Sequence, residues 1–297
     1  MTTTAKVDLY QQVTDTIIAQ IEQGTLPWLR PWTSTAPVAS SLPYNAASKR
    51  TYSGVNILTL WASAAAQGFT SSGWMTFKQA DALGAHVRKG SKGTQIIFVS
   101  TVEKQDKTTG EDVRIPILRT YTVFNTDQIE GLPAAAPAPV LSPAERHAAA
   151  DAFIAATGAV IRHGGNDAFY SPLGDSITLP VIEAFDTPAH YYATAAHELI
   201  HWTGAKHRLD RVFGKRFGDG AYAAEELVAE MGAAFTCAAL GIEGNLRHAD
   251  YVANWLKVLK ADKRAIFTAA SAASKAADFL AAFSGAEQVD EDEALAA

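Results

Sequence analysis

His197-Glu198-Leu199-Ile200-His201 sets two imidazoles four residues apart, with a carboxylate beside the first. On a helix, residues i and i+4 lie one turn apart on one face, so both rings can bind a single metal ion. The glutamate then stands next to a water acidified by the ion and can take its proton, which is the chemistry of amide hydrolysis. Tyr191 to Ala196 (YYATAA) suits the opening of such a helix. A pentapeptide with three fixed letters also arises by chance, so its surroundings decide its meaning.

Downstream, AYAAEELVAEMGAAFTCAAL reads as an Ala-rich helix with Val228, Met231, Ala234 and Phe235 at core-facing spacing. Glu226 and Glu230 lie four apart on a stripe flanking that face. Carboxylates beside a buried face are costly without partners, and a metal plus a histidine N–H would supply them. This assigns Glu226 as third ligand and Glu230 as the carboxylate orienting a ligand histidine. A rival reading takes His197 to His207, HELIHWTGAKH, as HExxHxxGxxH, in which Gly204 breaks the helix and His207 returns to the metal. That arrangement also wants a methionine turn, and the only downstream methionine, Met231, sits in a helical segment. Glu226 is therefore preferred, and His207 becomes a surface or cleft residue beside Arg208 and Arg211.

A second chemistry is written near the N-terminus. Four of the six tryptophans, Trp28, Trp32, Trp61 and Trp74, precede residue 75, with Arg30, Tyr44, Lys49, Arg50, Tyr52 and Lys78 close in sequence. Arg88-Lys89-Gly90-Ser91-Lys92-Gly93 adds cations, and glycines that let backbone N–H groups approach a phosphate. Aromatics among cations suit single-stranded nucleic acid, where each base stacked on a ring contributes about 1–3 kcal/mol. The expected DNA contacts are Trp28, Arg30, Trp32, Lys49, Arg50, Tyr52, Trp74, Lys78, Arg88, Lys89 and Lys92. Trp61, on an apolar helix face, reads as core.

These residues need elements to hold them. Val7 to Gln23 is an amphipathic helix with Val7, Tyr10, Val13, Ile17 and Ile21 on one face. Asn56 to Gln67 is a second helix and Thr76 to Ala82 opens a third. Thr94 to Glu103 and Leu118 to Phe124 are strands, joined by a charged hairpin around Lys107 to Asp112. LPAAAPAPVLSP, residues 132–143, reads as a Pro/Ala linker. Ser142 and Pro143 then start a helix to Thr157. Val160-Ile161 and Ser176 to Leu179 are strands, Phe169-Tyr170 lies between them, and Asp186 to Pro188 turns into the HExxH helix. Asn245 to Phe283 is mostly Ala-rich helix.

Composition fits a soluble globular chain of 297 residues, 48% hydrophobic and 19% charged. The net charge of -6 hides an asymmetry. Residues 1–100 carry eight Lys/Arg against four Asp/Glu, leaving 25−8 = 17 basic and 31−4 = 27 acidic residues for the rest. A positive N-terminal part on an acidic chain points to a polyanion-binding module. One cysteine, Cys237, excludes internal disulfides and fits a reducing cytoplasm. The first residues lack a signal-peptide core, no run approaches a membrane span, and EQVDEDE reads as a frayed acidic tail.

The order PWLRPW, LPYNAASKRTYSGVNILTLW, GWMTFKQADALGAHVRKGSKG is similar to the single-stranded-DNA-binding domain of ArdC-type antirestriction proteins and their plasmid primase relatives. AAHELIHWTG and YAAEELVAEMGAAF resemble the metalloprotease half of the same family. The resemblance implies an α+β protein: residues 1–131 an α/β single-stranded-DNA-binding domain, 132–143 the linker, 144–285 a mainly helical zincin-like domain with a small sheet, 286–297 the tail. It implies zinc on His197 and His201, Glu198 as general base and Glu226 in the place where such zincins keep a glutamate ligand. It further implies a plasmid-encoded protein that protects incoming DNA from host restriction during conjugation. Histidine is not regular in the slot of His207.

The expected reaction is metal-assisted cleavage of a peptide bond in a protein substrate, with Zn2+ as default ion and Mn2+ as a substitute. The competing class is a protein that only coats single-stranded DNA and carries a structural or vestigial metal site. Three protein ligands beside a free glutamate argue against a purely structural zinc, which is usually closed by four. A metallonuclease would want clustered carboxylates and two metals.

Overall fold

The computed structural model describes residues 8–28, 42–105, 112–133, 141–212, 220–242 and 249–285. Arg30, Trp32, the hairpin tip, most of the linker and the acidic tail lie outside them. The chain forms two units that change over within the 132–143 segment, but the first residues of the chain group with the C-terminal unit. Of the described residues, 8–28, 42, 53–55 and 141–285 make one unit, called here the helical unit. Residues 43–52, 56–105 and 112–133 make the other, the sheet unit.

The first helix, α1 (Leu9–Glu22), is capped by the Asp8 side chain and buries Thr14, Ile17 and Ile21. The sheet unit follows with β1 (Tyr44–Asn45), α2 (Val55–Gln67), β2 (Gly73–Thr76), α3 (Phe77–Ala82), β3 (His86–Val87), β4 (Thr94–Gln105), β5 (Asp112–Asn125) and β6 (Ile129–Glu130). Its main sheet has the order β1-β2-β5-β4, parallel between β1 and β2 and antiparallel elsewhere; β3 and β6 pair separately. The β4–β5 ladder runs from Thr94 opposite Val123 to Gln105 opposite Asp112, longer than the apolar runs alone predict. Tyr52, Leu60, Ala64, Trp74, Ile96 and Val123 form its core. Asn56 donates to the Ile97 carbonyl at 2.8 Å and accepts from the Ile97 N–H at 2.9 Å. Strand β4 is a sheet edge, so this side chain satisfies backbone groups that would otherwise be unpaired.

The helical unit resumes with α4 (Pro143–Ala156), opened by the Ser142 cap and Pro143 as the sequence predicts. Then come β7 (Val160–His163), β8 (Phe169–Ser171) and β9 (Ser176–Leu179), a sheet of order β7-β9-β8. Helices α5 (Pro188–Thr203), α6 (Gly220–Leu240), α7 (Ala249–Ala261) and α8 (Ala265–Ala282) complete it. Alanines 269, 270, 273 and 276 of α8 are buried, and side chains this small let α8 lie close against α6. Helix α1 belongs here because its partners are here. Thr14 Oγ1 donates to the Lys263 carbonyl at 2.7 Å, Tyr10 meets Phe267 edge-on at 4.7 Å, and Glu22 pairs with Lys260 at 2.6 Å. No helix among the described residues is long and apolar enough to cross a membrane.

Candidate metal centre

Helix α5 starts where Thr187 caps the His190 N–H and Pro188 takes the first helical position, and it ends at Gly204. Residues Leu199 and Ile200 are fully buried against the neighbouring elements, which turns His197 and His201 to one side of the helix. Helix α6 packs across it at Gly232. A side chain there would stand 2.8–3.0 Å from three atoms of the Ile200 side chain, so only glycine permits this approach.

The approach brings Glu226 of α6 to the histidine pair. His197 Nε2 and His201 Nε2 are 3.2 Å apart. Each lies 3.5 Å from a Glu226 oxygen, His197 from Oε2 and His201 from Oε1. These are the side chains among the described residues whose donor atoms gather closely enough, within 4.8 Å of one another, to hold a metal. The spacing fits the ion. With metal–nitrogen and metal–oxygen distances of about 2.0–2.2 Å, donors at tetrahedral corners stand roughly 3.3–3.6 Å apart. Burial alone would push Glu226 up and His201 down in pKa. Instead hydrogen bonds and charge from the two histidines hold Glu226 well below the usual carboxylate range. Burial likewise works against a charged His201, but Glu225 and then Glu226 outweigh it and raise the ring to about 10. A site that concentrates this much negative charge around two rings suits a divalent cation. Glu198 is buried on the same helix, and its charge is felt at His201.

A carboxylate that the sequence reading did not single out stands behind the centre: Glu225 meets His201 Nδ1, at 3.2 Å. Glu230 is one turn further along α6 and fully buried. Glu225 is fixed in turn by Arg211, whose Nε reaches Oε2 at 3.1 Å and Nη2 reaches Oε1 at 2.8 Å. Arg211 also donates to the Ile200 carbonyl at 2.6 Å and to Thr203 Oγ1 at 2.7 Å, tying the last turn of α5 to α6. Burial works to raise the Glu225 carboxyl, but hydrogen bonds from His201 and then from the forked guanidinium outweigh it and hold it below its ordinary value. Nothing in the local sequence marks Arg211, because its role exists only once α5 and α6 cross.

The rival ligand lies elsewhere. The His207 side chain is 64% exposed and pairs with Asp175 at 3.3 Å. Asp175 also binds Arg208, which holds its carboxyl down to about 2, and the Arg208 guanidinium lies 3.8 Å over the Trp202 ring. Met231 is inside α6 and forms no turn. Of the polar side chains near the centre, Tyr191 is bonded to His163 and Tyr192 to Asp151. Tyr222, one turn before Glu226, is the tyrosine whose hydroxyl reaches that carboxylate.

The expected DNA contacts divide sharply. Trp28 is 1% exposed and packs edge-on against Trp255 of α7 at 5.5 Å. Trp74 is equally buried, edge-on to Phe69 at 5.8 Å, and Tyr52 shares its core cluster. These three rings are corrected to core, because flat aromatic area is most stabilising when removed from water. Arg30 and Trp32 lie outside the described residues. Lys49, Lys78, Arg88, Lys89 and Lys92 are exposed, and Arg50 is half-buried. Arg88 donates to the Asp127 carbonyl. Lys49 sits in a tight turn at φ 65°, held where Asn45 Oδ1 accepts from the Ala47 and Ser48 N–H groups. Asn45 Nδ2 also donates to Gln79 of α3, so the Lys49 turn and α3 share one network. Beside Lys78 stands Phe77, 56% exposed, an aromatic that the tryptophan count overlooks. Its signal was its place directly after the Thr76 cap, off the buried face of a short helix.

Known proteins match both units. Residues 7–124 match the family described as the N-terminal domain of anti-restriction factor ArdC, and residues 148–272 match a zincin-like metallopeptidase family. An uncharacterized protein of Sinorhizobium fredii, y4eC, is 43% identical over 92% of this chain and 91% of its own length. DNA primase TraC of Escherichia coli is 41% identical over 94% of this chain, which spans only 27% of that protein. The crystal structure of the antirestriction ArdC protein from the R388 plasmid in its metal-free form is 45% identical with a TM-score of 0.80, covering 95% of this chain and all of that one. Its Mn(II)-bound structure gives 44% and 0.76 at the same coverage. With an ArdC N-terminal domain and a zincin-like metallopeptidase domain in one α+β chain, this protein belongs to the ArdC family of antirestriction proteins.

Proposed function

We propose that the helical unit is a metal-dependent peptidase and that the sheet unit binds single-stranded DNA, so that the protein guards incoming plasmid DNA against restriction in the cytoplasm during conjugation. The observation that carries the enzymatic half is the buried His197, His201 and Glu226 donor set with Glu198 on the same helix. A divalent ion held by those three residues supplies Lewis-acid chemistry, acidifying a water and polarising a peptide carbonyl. Zinc is the default for two imidazoles and a carboxylate, and the Mn(II)-bound relative supports manganese as a substitute. Glu198 accepts the proton of the attacking water and returns it to the leaving amine. Glu225 and Arg211 hold His201 in the tautomer that leaves Nε2 free to ligate. For the other half, Lys49, Lys78, Arg88, Lys89 and Lys92 supply phosphate contacts and Phe77 a stacking face. Arg30 and Trp32, outside the described residues, are proposed as DNA contacts from the sequence alone.

The test pairs wild type with Glu198→Gln. Each is mixed with single-stranded or duplex oligonucleotides, followed by anisotropy, and the mixtures are read by intact-protein mass analysis. Cleavage of the chain or of an added protein should fall at least about 10²-fold in the variant, with single-strand binding unchanged. Equal cleavage by both proteins sinks the mechanism. Tight single-strand binding without cleavage by either one would move the function to coating of DNA.

A further inference from the structure

Tyr222 precedes Glu226 by one turn on α6, so both side chains leave the same face of the helix. Its hydroxyl reaches the Glu226 carboxylate and stands 3.2 Å from the hydroxyl of Tyr251 on α7. The two rings are stacked, 6.1 Å apart and inclined by 30°. Tyr251 continues the stack onto Trp255, at 6.1 Å and 19°, and Trp255 is fully buried. We propose that Tyr222 and Tyr251 form a positioning relay for Glu226, which orders the third donor before any ion arrives. This rests on the metal-centre reading above.

The chemistry fixes the direction of the relay. An ionised carboxylate only accepts hydrogen bonds, so Tyr222 must donate to Glu226. Its oxygen is then the acceptor, and Tyr251 must be the donor to it. Each hydroxyl strengthens the next by polarising it. A long glutamate side chain otherwise samples many rotamers, and a carboxylate with one oxygen engaged by a phenol presents the other to the metal. The relay is a positioning device and touches no substrate.

The test measures Zn2+ affinity by competition with a chromophoric chelator, together with the visible absorption of the Co2+-loaded full-length protein. Wild type is compared with Glu226→Gln, Tyr222→Phe, Tyr251→Phe and the double phenylalanine variant. Phenylalanine keeps every ring stack, and far-UV circular dichroism checks the fold of each. Tyr222→Phe should weaken Zn2+ binding about 10–100-fold and shift the Co2+ bands. Tyr251→Phe should do the same by a smaller factor. The double variant should be no worse than Tyr222→Phe, because Tyr251 acts only through Tyr222. Wild-type affinity and an unchanged Co2+ spectrum in Tyr222→Phe, or in Tyr251→Phe should the former not fold, overturn the proposal. So does strict additivity in the double variant. Unweakened Zn2+ binding by Glu226→Gln is a different result: it removes Glu226 from the ligand set and with it the reading on which the relay stands.

Discussion

Replacing Gly232 by alanine should loosen the metal centre without touching a ligand. The added methyl carbon would sit 2.8 Å from Ile200 Cδ1, 2.9 Å from Cγ1 and 3.0 Å from Cγ2. Carbon atoms prefer about 3.5–4.0 Å, so the shortfall is roughly 0.5–1 Å at three atoms together. Ile200 has no room to turn away: it is β-branched, helical and fully buried, with one favoured χ1. The helices must separate instead. Overpacking of this kind costs about 1–3 kcal/mol, whereas alanine's better helix propensity returns at most about 1 kcal/mol. The clash wins, with a net loss of up to about 2 kcal/mol. Separation of α5 from α6 lengthens the His197–Glu226 and His201–Glu226 distances, now 3.5 Å, so Zn2+ affinity should fall about tenfold or more. Urea unfolding of the metal-free protein and chelator competition measure the two effects. Adding Ile200→Ala removes all three clashing atoms, so the double variant should be more stable than the sum of the single changes allows. If Gly232→Ala proves about 1 kcal/mol more stable than wild type and binds Zn2+ equally well, the close approach does not set the geometry of the centre.

Glu225→Gln leaves an amide at His201 Nδ1 and should cost about 10–100-fold in Zn2+ affinity by calorimetry, with Glu198 unaltered. Lys49→Gly relieves a left-handed backbone that costs a non-glycine residue about 1 kcal/mol, so melting temperature should rise while the salt dependence of single-strand binding shrinks by about one phosphate contact. Asp175 has its carboxyl depressed from 3.8 to about 2 by Arg208, so its contribution is complete above pH 3.8 and lost as pH falls through about 2. Wild type should therefore lose more stability than Asp175→Asn between pH 5 and 2 in urea titrations; parallel losses would refute the assignment.

The histidine pair was legible in sequence because helical spacing alone puts residues 197 and 201 on one face. Glu226 was legible through the cost of burying a carboxylate unpaired. The contact of Glu225 with His201 was not, since it exists only once α5 and α6 cross, with Arg211 behind it. The Ser142 cap and Pro143 located the start of α4. The aromatic reading failed at Trp28 for a related reason. Its partner Trp255 lies near the other end of the chain, and a proline-rich neighbourhood carries no trace of it. The same distance hid the membership of α1 in the helical unit.

That membership has a kinetic consequence. Helix α1 leaves the ribosome well before its partners: the contact from Thr14 to Lys263 spans 249 residues. Such a contact forms only after its whole loop has been synthesised, and its closure entropy slows it further. Until α7 and α8 emerge, Thr14, Tyr10 and Trp28 lack the partners they have in the fold, Lys263, Phe267 and Trp255. The sheet unit, whose pairings all fall between residues 44 and 130, meets no such delay. The contacts of the sheet unit can therefore close while α1 still waits for α7 and α8 to be made.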